Sequence, residues 1–247
     1  MPIKVARISD LNCEAFYFDM ERRGIELCDM APSGVVAAVE KGEVDAGPVS
    51  LVDCFRLEDG FRPLAGFCIA AINQAVSSVL YSTQPVESLA GARIGVPDEA
   101  STSLPLLQVL LSLKHQVRPD AYVSMEDPHD AFLLTGNQAL RRRRGVRGYP
   151  HRYDLGTEWH DWTGLPFVFD RWMARQDMDS RDLALLEDAL FVGQEDWLDG
   201  LYRMTGPRND ILMQPRDVLE YIQGYRYFVG VPEERAIDLF RRYLDQL

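Results

Sequence analysis

Small polar residues follow predicted strands at four places in the sequence, each time just before a helical pattern. In open α/β sheets, ligands bind outside the carboxyl ends of strands, where helix N-termini offer unpaired N–H groups. Ser, Thr and Asn add neutral donors that suit a carboxylate, although the same residues are also ordinary helix caps. The four turns are residues 9–12, 47–50, 99–103 and 135–137.

Acidic residues flank these turns and are candidate general bases. Asp10, Glu14 and Glu99 each stand beside a turn, although a solvated surface position would also explain them. The serines of the third turn have no neighbouring histidine and no G-x-S-x-G pattern, so nucleophilic catalysis has little support. No glycine-rich phosphate-binding motif occurs, which argues against a nucleotide.

Charge and cysteine usage narrow the class of protein. The chain has 247 residues, with 26 Lys+Arg against 38 Asp+Glu and a net charge of −12. Binding to nucleic acid or to an anionic membrane is therefore not expected. The four cysteines and four histidines lack metal-ligand spacing, so we expect no metal, and reduced thiols are typical of a cytoplasmic protein. The N-terminus has no apolar leader pattern and reads as a strand.

The elements that must position the turns alternate between strand and helix. Strands are predicted over 3–8, 44–46, 66–72, 78–82, 92–96, 121–125, 132–134 and 166–173. Helices are predicted over 12–23, 34–42, 51–57, 102–114 and 138–144, with a mostly helical tail from 180. This alternation favours parallel sheets covered by helices. It restarts near residue 90 and is interrupted again near 166–174, which indicates that the chain leaves one lobe, builds a second and returns.

Two further groups have both a structural and a functional interpretation. Arginines 141–144 with Arg147 form either a solvated loop or a docking site for an acidic partner. The dense aromatic group is either packing between the lobes or a wall for a cyclic ligand. That group comprises Trp159, Trp162, Phe167, Phe169 and Trp172.

Several segments carry a resemblance to a known family. These are ARISDLN, PSGVVAAVEKGEVDAGPVS, ARIGVPDEASTSLPLLQVLL, AFLLTGNQAL and, most specifically, YDLGTEWHDWTGLPFVF. In this order, over most of the chain, the sequence resembles the chorismate dehydratase family of the futalosine route to menaquinone. More distantly it resembles 1,4-dihydroxy-6-naphthoate synthase of the same pathway.

The resemblance implies an α/β fold of the type II periplasmic-binding-protein-like kind, with two lobes joined by two extended crossovers. We expect lobe I at 1–83 and 170–247, and lobe II at 84–169. The implied reaction is loss of water from chorismate, a small anionic carboxylate, to give 3-[(1-carboxyvinyl)oxy]benzoate without a cofactor. The implied substrate-binding positions are Asn12, Ser50, Ser101, Thr102, Ser103, Gly136 and Asn137.

The catalytic group stays open at this point. Asn12, Glu14 and Asp10 are the candidates, and the substrate's own enolpyruvyl carboxylate is the alternative base. Asn12 is not followed by the family's usual proline, and Asn137 stands in a turn that usually holds an aspartate. A noncatalytic carboxylate-binding protein and a related lyase are therefore the competing hypotheses, and the oligomeric state is not predicted.

Overall fold

The structure is a computed structural model that describes residues 2–57, 60–98, 100–204 and 206–247. Two β-sheets and the helices packed against them form two lobes. The strands are β1 Lys4–Arg7, β2 Glu26–Asp29, β3 Ala46–Ser50, β4 Phe61–Ala71, β5 Ser78–Ser82, β6 Arg93–Val96, β7 Ala121–Ser124, β8 Ala131–Thr135, β9 His151–Asp154, β10 Phe167–Arg175 and β11 Tyr225–Phe228.

Helices cover these sheets. They are α1 Glu14–Tyr17, α2 Pro32–Glu40, α3 Leu51–Arg56, α4 Ser103–Val109, α5 Gly136–Arg142, α6 Leu155–Thr163, α7 Ser180–Leu201, α8 Pro215–Gln223 and α9 Val231–Leu244. Single 3₁₀ turns lie at Leu11–Cys13, Glu21–Arg23 and Val86–Ser88, and a π turn at Leu110–Lys114 extends α4.

The first lobe is built on a six-stranded sheet with the order β11-β4-β10-β3-β1-β2. Strands β1, β2 and β3 are parallel, whereas β10 runs antiparallel to both β3 and β4. The prediction of parallel sheets is therefore wrong in part. A strand that returns from the second lobe enters the sheet from the opposite end, which makes the sheet mixed.

The second lobe is built on a five-stranded sheet with the order β7-β6-β8-β5-β9. Here β6 is parallel to β7 and β8, and β5 is antiparallel to β8 and β9. The predicted α/β architecture of two lobes is confirmed. Strand Ser78–Ser82 belongs to the second sheet, so the chain enters the second lobe before the predicted boundary at 83. Phe167 already pairs with Ala71 in the first sheet, so the chain returns to the first lobe before the predicted boundary at 169.

Two helical predictions need correction. The predicted helix over 12–23 is broken into the 3₁₀ turn at Leu11–Cys13, the short α1 and a second 3₁₀ turn that ends at Gly24. Helix α6 was missed, although Asp154 caps it by accepting a hydrogen bond from the Thr157 N–H and Gly164 ends it in the left-handed conformation. Both are ordinary helix boundary signals.

The first crossover, residues 72–77 between β4 and β5, is fixed to the second lobe by Asp154. Its carboxylate accepts hydrogen bonds from the N–H groups of Ala75 and Val76, at 2.8 and 2.6 Å. Val76 has a φ of 58°, which is unfavourable for a β-branched residue and is held by these bonds. The crossover therefore has a defined conformation immediately before strand β5.

Candidate functional site

A cleft of about 180 Å³ lies between the lobes, where β1, β6 and β8 end. Three of the four predicted turns meet there. Among the residues that line it are Asp10, Asn12, Cys13, Ser77, Ser78, Ser101, Thr102, Ser103, Gly136, Asn137, Phe169 and Asp170.

The first and fourth turns bind each other across the cleft. The N–H of Leu11 donates to Oδ1 of Asn137 at 3.1 Å, and Nδ2 of Asn137 donates to the carbonyl of Ser9 at 2.7 Å. The main-chain N–H of Asn137 donates to the carboxylate of Asp10 at 3.2 Å. Asn137, predicted to contact a ligand, therefore has its side-chain amide engaged in holding the lobes together.

Gly136 is required for this contact between lobes. Its φ is 54°, and a Cβ at this position would lie 2.5 Å from Oδ1 of Asp10. The absence of a side chain lets the two turns approach. Gly136 thus acts through shape, and a hydrogen bond from a side chain is not available at this predicted site residue.

The third turn makes a second contact between the lobes through Thr102. Its hydroxyl donates to the carbonyl of Phe169 at 2.7 Å and accepts a hydrogen bond from the N–H of Leu51 at 3.0 Å. The expectation that this hydroxyl donates to a ligand conflicts with this geometry, because its one proton is already donated to Phe169. Ser101 and Ser103 also line the cleft, at the start of α4, where the N–H groups of Leu104 and Leu106 already donate to the carbonyls of Ala100 and Thr102.

Ser50 lies outside the cleft lining. Its hydroxyl accepts a hydrogen bond from the N–H of Asp53 at the start of α3 and lies 2.7 Å from Oδ2 of Asp53. The cap explanation therefore accounts for this turn. Its connection to the cleft is indirect, through the Leu51 N–H that donates to Thr102.

The acidic residues predicted as candidate bases differ in whether they lie in the cleft. Glu14 forms an ion pair with Arg208, through two contacts of 2.8 and 2.9 Å, and is absent from the cleft lining. Asp10 lines the cleft beside Gly136 and Asn137. Glu99 lies outside the described residues. Of these three acids, the structure brings Asp10 to the site and directs Glu14 elsewhere.

Asn12 lies in the cleft with its side chain largely buried. The neighbouring Cys13 thiol lies 3.7 Å from Oδ1 of Asn12, which is a weak contact. Burial, together with the nearby carboxylates of Asp10 and Asp170, raises the pKa of Cys13 well above its ordinary value. Cys13 therefore remains a thiol at neutral pH.

Asp170 is a cleft residue that the sequence reading missed. It lies in the middle of β10, between Phe169 and Arg171, and lines the cleft. Burial, followed by the charges of Asp10 and Asp53, raises the pKa of Asp170 to about 7. An aspartate within the apolar strand pattern PFVFDRWM was the available signal, since buried carboxylates with shifted pKa values cluster at functional sites.

Ser78 is a second missed residue. It is 2% exposed, lines the cleft, and its Oγ has no hydrogen-bond partner among the residues that the structure describes. Neighbouring Ser77, in contrast, lies 2.8 Å from the Tyr225 hydroxyl. A buried hydroxyl with no partner is uncommon. The Oγ atom of Ser78 therefore lies beneath the surface of the cleft with its hydrogen-bonding capacity unused.

The aromatic group is mostly packing. Trp159 is fully buried, donates its Nε1–H to the carbonyl of Pro166 at 3.0 Å, and packs edge-on against Phe167 and Phe240 of α9. Trp172 packs edge-on against Phe16. Of the predicted aromatic set, Phe169 alone lines the cleft.

Two arginines of the run at 141–144 form hydrogen bonds with other parts of the chain. Arg141 donates to the carbonyl of Asp210 at 2.6 Å, and Arg143 binds the carboxylate of Asp217 at 2.7 Å and the carbonyl of Leu212 at 2.8 Å. These bonds attach the C-terminal end of α5 in the second lobe to α8 of the first lobe and to the segment before it. Arg144 and Arg147 remain exposed.

No group of three or more His, Cys, Asp or Glu side chains in the described part of the chain could hold a metal ion. No helix of the described segments has the length and apolar character needed to cross a membrane.

Comparisons with known proteins place this chain. A family model described as menaquinone biosynthesis matches residues 3–246. Chorismate dehydratase of Thermus thermophilus is 23% identical over 94% of this chain and 92% of its own length. Among solved structures, protein AF1704 of Archaeoglobus fulgidus has a TM-score of 0.73 at 16% identity, covering 99% of this chain and 97% of its own.

The fold is that of periplasmic binding proteins. The Candida albicans CA3427 gene product, described as having the generic periplasmic-binding-protein fold, has a TM-score of 0.61 at 12% identity. The alignment covers all of this chain and 94% of that one. The predicted fold class is thereby confirmed.

Proposed function

The chain belongs to the menaquinone biosynthesis family, and we propose that it is a lyase that removes water from chorismate to give 3-[(1-carboxyvinyl)oxy]benzoate, without a cofactor. The name of the Thermus relative and the cleft between the lobes support this reaction. The single observation that carries it is Asp170, a partly buried carboxyl that lines the cleft together with Asp10 and whose pKa is raised to about 7.

The reaction is an elimination that needs proton transfer and charge stabilisation. The proton on the ring carbon that bears the ether is acidified by conjugation to the ring carboxylate. Its removal leaves an electron pair that spreads toward that carboxylate, and expulsion of the neighbouring hydroxyl with a proton forms water. The product ring is aromatic, which drives the reaction, and no oxidant or reductant is consumed.

Asp170 and Asp10 suit the proton transfers. Both line the cleft, and the charge of Asp10 is among the causes of the raised pKa of Asp170. Asp170, whose pKa is raised to about 7, can donate a proton near neutral pH, and a second carboxyl group in the same cleft can accept one. In the proposal, one carboxylate takes the ring proton, and the protonated Asp170 delivers its proton to the leaving hydroxyl. The enolpyruvyl carboxylate of the substrate is the alternative base.

Neutral donors hold the substrate in the proposed complex. Ser101 and Ser103, beside the start of α4, offer hydroxyl groups to a carboxylate of the substrate. The Asn12 amide supplies a further donor. Donors directed at the developing negative charge lower the barrier more than donors directed at the ground state.

The two acidic residues of the cleft make binding of an anionic substrate depend on their protonation. No lysine or arginine is among its described lining residues, whereas Asp10 and Asp170 are. A dianion is therefore bound best when Asp170 is protonated. We expect chorismate binding to be accompanied by proton uptake near neutral pH, which calorimetry in buffers of different ionisation enthalpy measures.

Incubation of the purified protein with chorismate tests the proposed function. The expected product has lost one water and is aromatic, which mass spectrometry and ultraviolet absorbance detect. Asp170→Asn should lower kcat by about 10²-fold or more, in the range of general acid–base catalysis. Asp199→Asn, an exposed change on α7, is the matched control and should leave kcat unchanged.

Other outcomes separate the competing hypotheses. Chorismate recovered unchanged while it raises the melting temperature would indicate a binding protein, since ligands stabilise by mass action. Stabilisation by other cyclic carboxylates but not by chorismate would indicate a related lyase. A cytoplasmic location is part of the same proposal and is consistent with the free thiols of the four cysteines.

A further inference from the structure

A second cavity, of about 320 Å³, lies in the first lobe on the far side of the sheet from the cleft. Helices α3 and α9 both pack on β10, and the cavity lies between these helices and strands β4 and β10. Arg171 lines it, while its neighbour Asp170 lines the cleft. Successive residues of a strand point to opposite faces, so the two cavities are separate.

Guanidinium groups dominate the polar lining of this cavity. Arg62, Arg171 and Arg241 lie around it, against one carboxylate, Asp238, among the described lining residues. These arginines bring three guanidinium groups to one cavity. Arg241 also lies over the ring of Phe55, with its guanidinium carbon 4.5 Å from the ring centroid.

The Nε atoms of Arg62 and Arg171 have an unusual environment. Both atoms are buried, and neither has a hydrogen-bond partner among the residues that the structure describes. Buried N–H groups without a partner are rare in native structures, and an anion bound at the guanidinium groups would supply one. Guanidinium groups bind carboxylates and phosphates through parallel hydrogen bonds that include Nε.

The rest of the lining is apolar. Phe61, Pro63, Met173 and Ile237 provide walls around the arginines. An inorganic anion would use the guanidinium groups and leave these walls in contact with water. A cavity of this size with apolar walls and a few convergent polar groups is typical of a small-molecule site.

From these observations we propose that this cavity binds a small organic acid. Its carboxylate or phosphate group lies between Arg62 and Arg171, and its apolar part contacts Met173 and Ile237. The site is distinct from the cleft to which the proposed reaction is assigned, and the two cavities share no lining residue.

Nuclear magnetic resonance of methionine methyl groups tests the proposal directly. The whole protein is labelled at its methionine methyls and titrated with phenyl phosphate, benzoate and inorganic phosphate. The Met173 methyl resonance should shift with phenyl phosphate or benzoate, and more weakly with inorganic phosphate. Met125, in the second lobe, should not shift.

Substitutions of Arg62 and Arg171 test whether these side chains contact the anion. Arg62→Gln and Arg171→Gln should each weaken binding at this site by about tenfold or more, as expected when a charge-assisted bond is lost. Arg216→Gln, an exposed arginine on α8, is the control and should bind as the original protein does. Asn12→Ala, in the cleft, should also leave the Met173 titration unchanged.

Three results would overturn the proposal. They are a Met173 resonance that no probe moves, a titration that persists in both arginine variants, and equal affinity for inorganic and phenyl phosphate. Arg62→Lys keeps the charge and removes the Nε donor, so it distinguishes loss of the contact from loss of folding. Dehydration of chorismate is a separate readout, and either result can fail without the other.

Discussion

The hydroxyl of Thr102 donates a hydrogen bond to the main-chain carbonyl of Phe169 over 2.7 Å, joining the second lobe to the first inside the cleft. The same oxygen accepts from the N–H of Leu51, so its donor and one acceptor position are occupied. The two lobes are therefore already joined by hydrogen bonds at the cleft before a ligand binds. Thr102 therefore contributes to closure of the lobes.

Thr102→Val replaces the hydroxyl by a methyl group of similar size. The Leu51 N–H and the Phe169 carbonyl then lose their partner, which should lower the free energy of unfolding by about 1–3 kcal/mol. Urea unfolding measures the loss, and small-angle scattering should show wider separation of the lobes. Thr102→Ser keeps the hydroxyl and should behave much as threonine does. Equal stability of all three proteins would show that the bond across the cleft contributes nothing.

Asn137→Asp tests the second connection between the lobes. The change removes the Nδ2–H that donates to Ser9 and places a negative charge close to Asp10. We expect a loss of roughly 1–3 kcal/mol in unfolding free energy at pH 7, and partial recovery at pH 4, where carboxylates become protonated. Asn73→Asp, an exposed position, is the control. A stability loss that is the same at both pH values would contradict the electrostatic explanation.

Much of the fold follows from local patterns in the sequence. The strand at 78–82 is confirmed at both ends, and the turns that follow β1, β6 and β8 meet at one cleft because their strands end there. The turn after β3 also follows a strand, yet Ser50 is used to cap α3. Nothing in the local sequence distinguishes a serine that caps its own helix from one that faces a ligand.

The functional content of the cleft was harder to predict. The sequence identifies Asn137 and Thr102 as donors but does not reveal that residues of the opposite lobe accept those hydrogen bonds. Asp170 and Ser78 lie within strands rather than in turns, so a search of turns passes over them. Their properties depend on burial against the other lobe, which requires the three-dimensional arrangement.

Asp170 should make stability depend on pH. Its pKa is about 7 in the folded protein, against about 3.9 for an unperturbed aspartate. Between these values the folded state holds a proton that the unfolded state has lost, so stability falls as pH rises from about 4 to 7 and then stays constant. The ionised group costs on the order of 4 kcal/mol above pH 7, as an upper bound.

Asp170→Asn removes this penalty. We expect the variant to be more stable than the original protein at pH 8 and nearly equal to it at pH 4, as measured by urea unfolding at each pH. Asp199→Asn, on the surface of α7, should give the same difference at both. A variant that is destabilised at pH 8 would mean that the ionised carboxylate has a stabilising partner in the cleft.

Glu14, unlike Asp170, is a carboxylate that the sequence marks as a catalytic candidate but that forms an ion pair outside the cleft. Arg208 binds it through two contacts of 2.8 and 2.9 Å and also contacts Asp210 at 2.8 Å, and both carboxyl groups raise the pKa of Arg208 above its ordinary value. Both members of the Glu14–Arg208 pair are about 30% exposed, so solvent screens the attraction.

Glu14→Gln should therefore lower the free energy of unfolding by about 1 kcal/mol or less and leave turnover of chorismate unchanged. The loss should shrink in high salt, because screening weakens partly exposed pairs. Steady-state kinetics of Glu14→Gln and Asp170→Asn are compared. Each variant loses one carboxylate, but only the loss of Asp170 should lower kcat. A drop in kcat of about 10²-fold for Glu14→Gln would return Glu14 to the list of proton-transfer groups and require the first turn to rearrange when substrate binds.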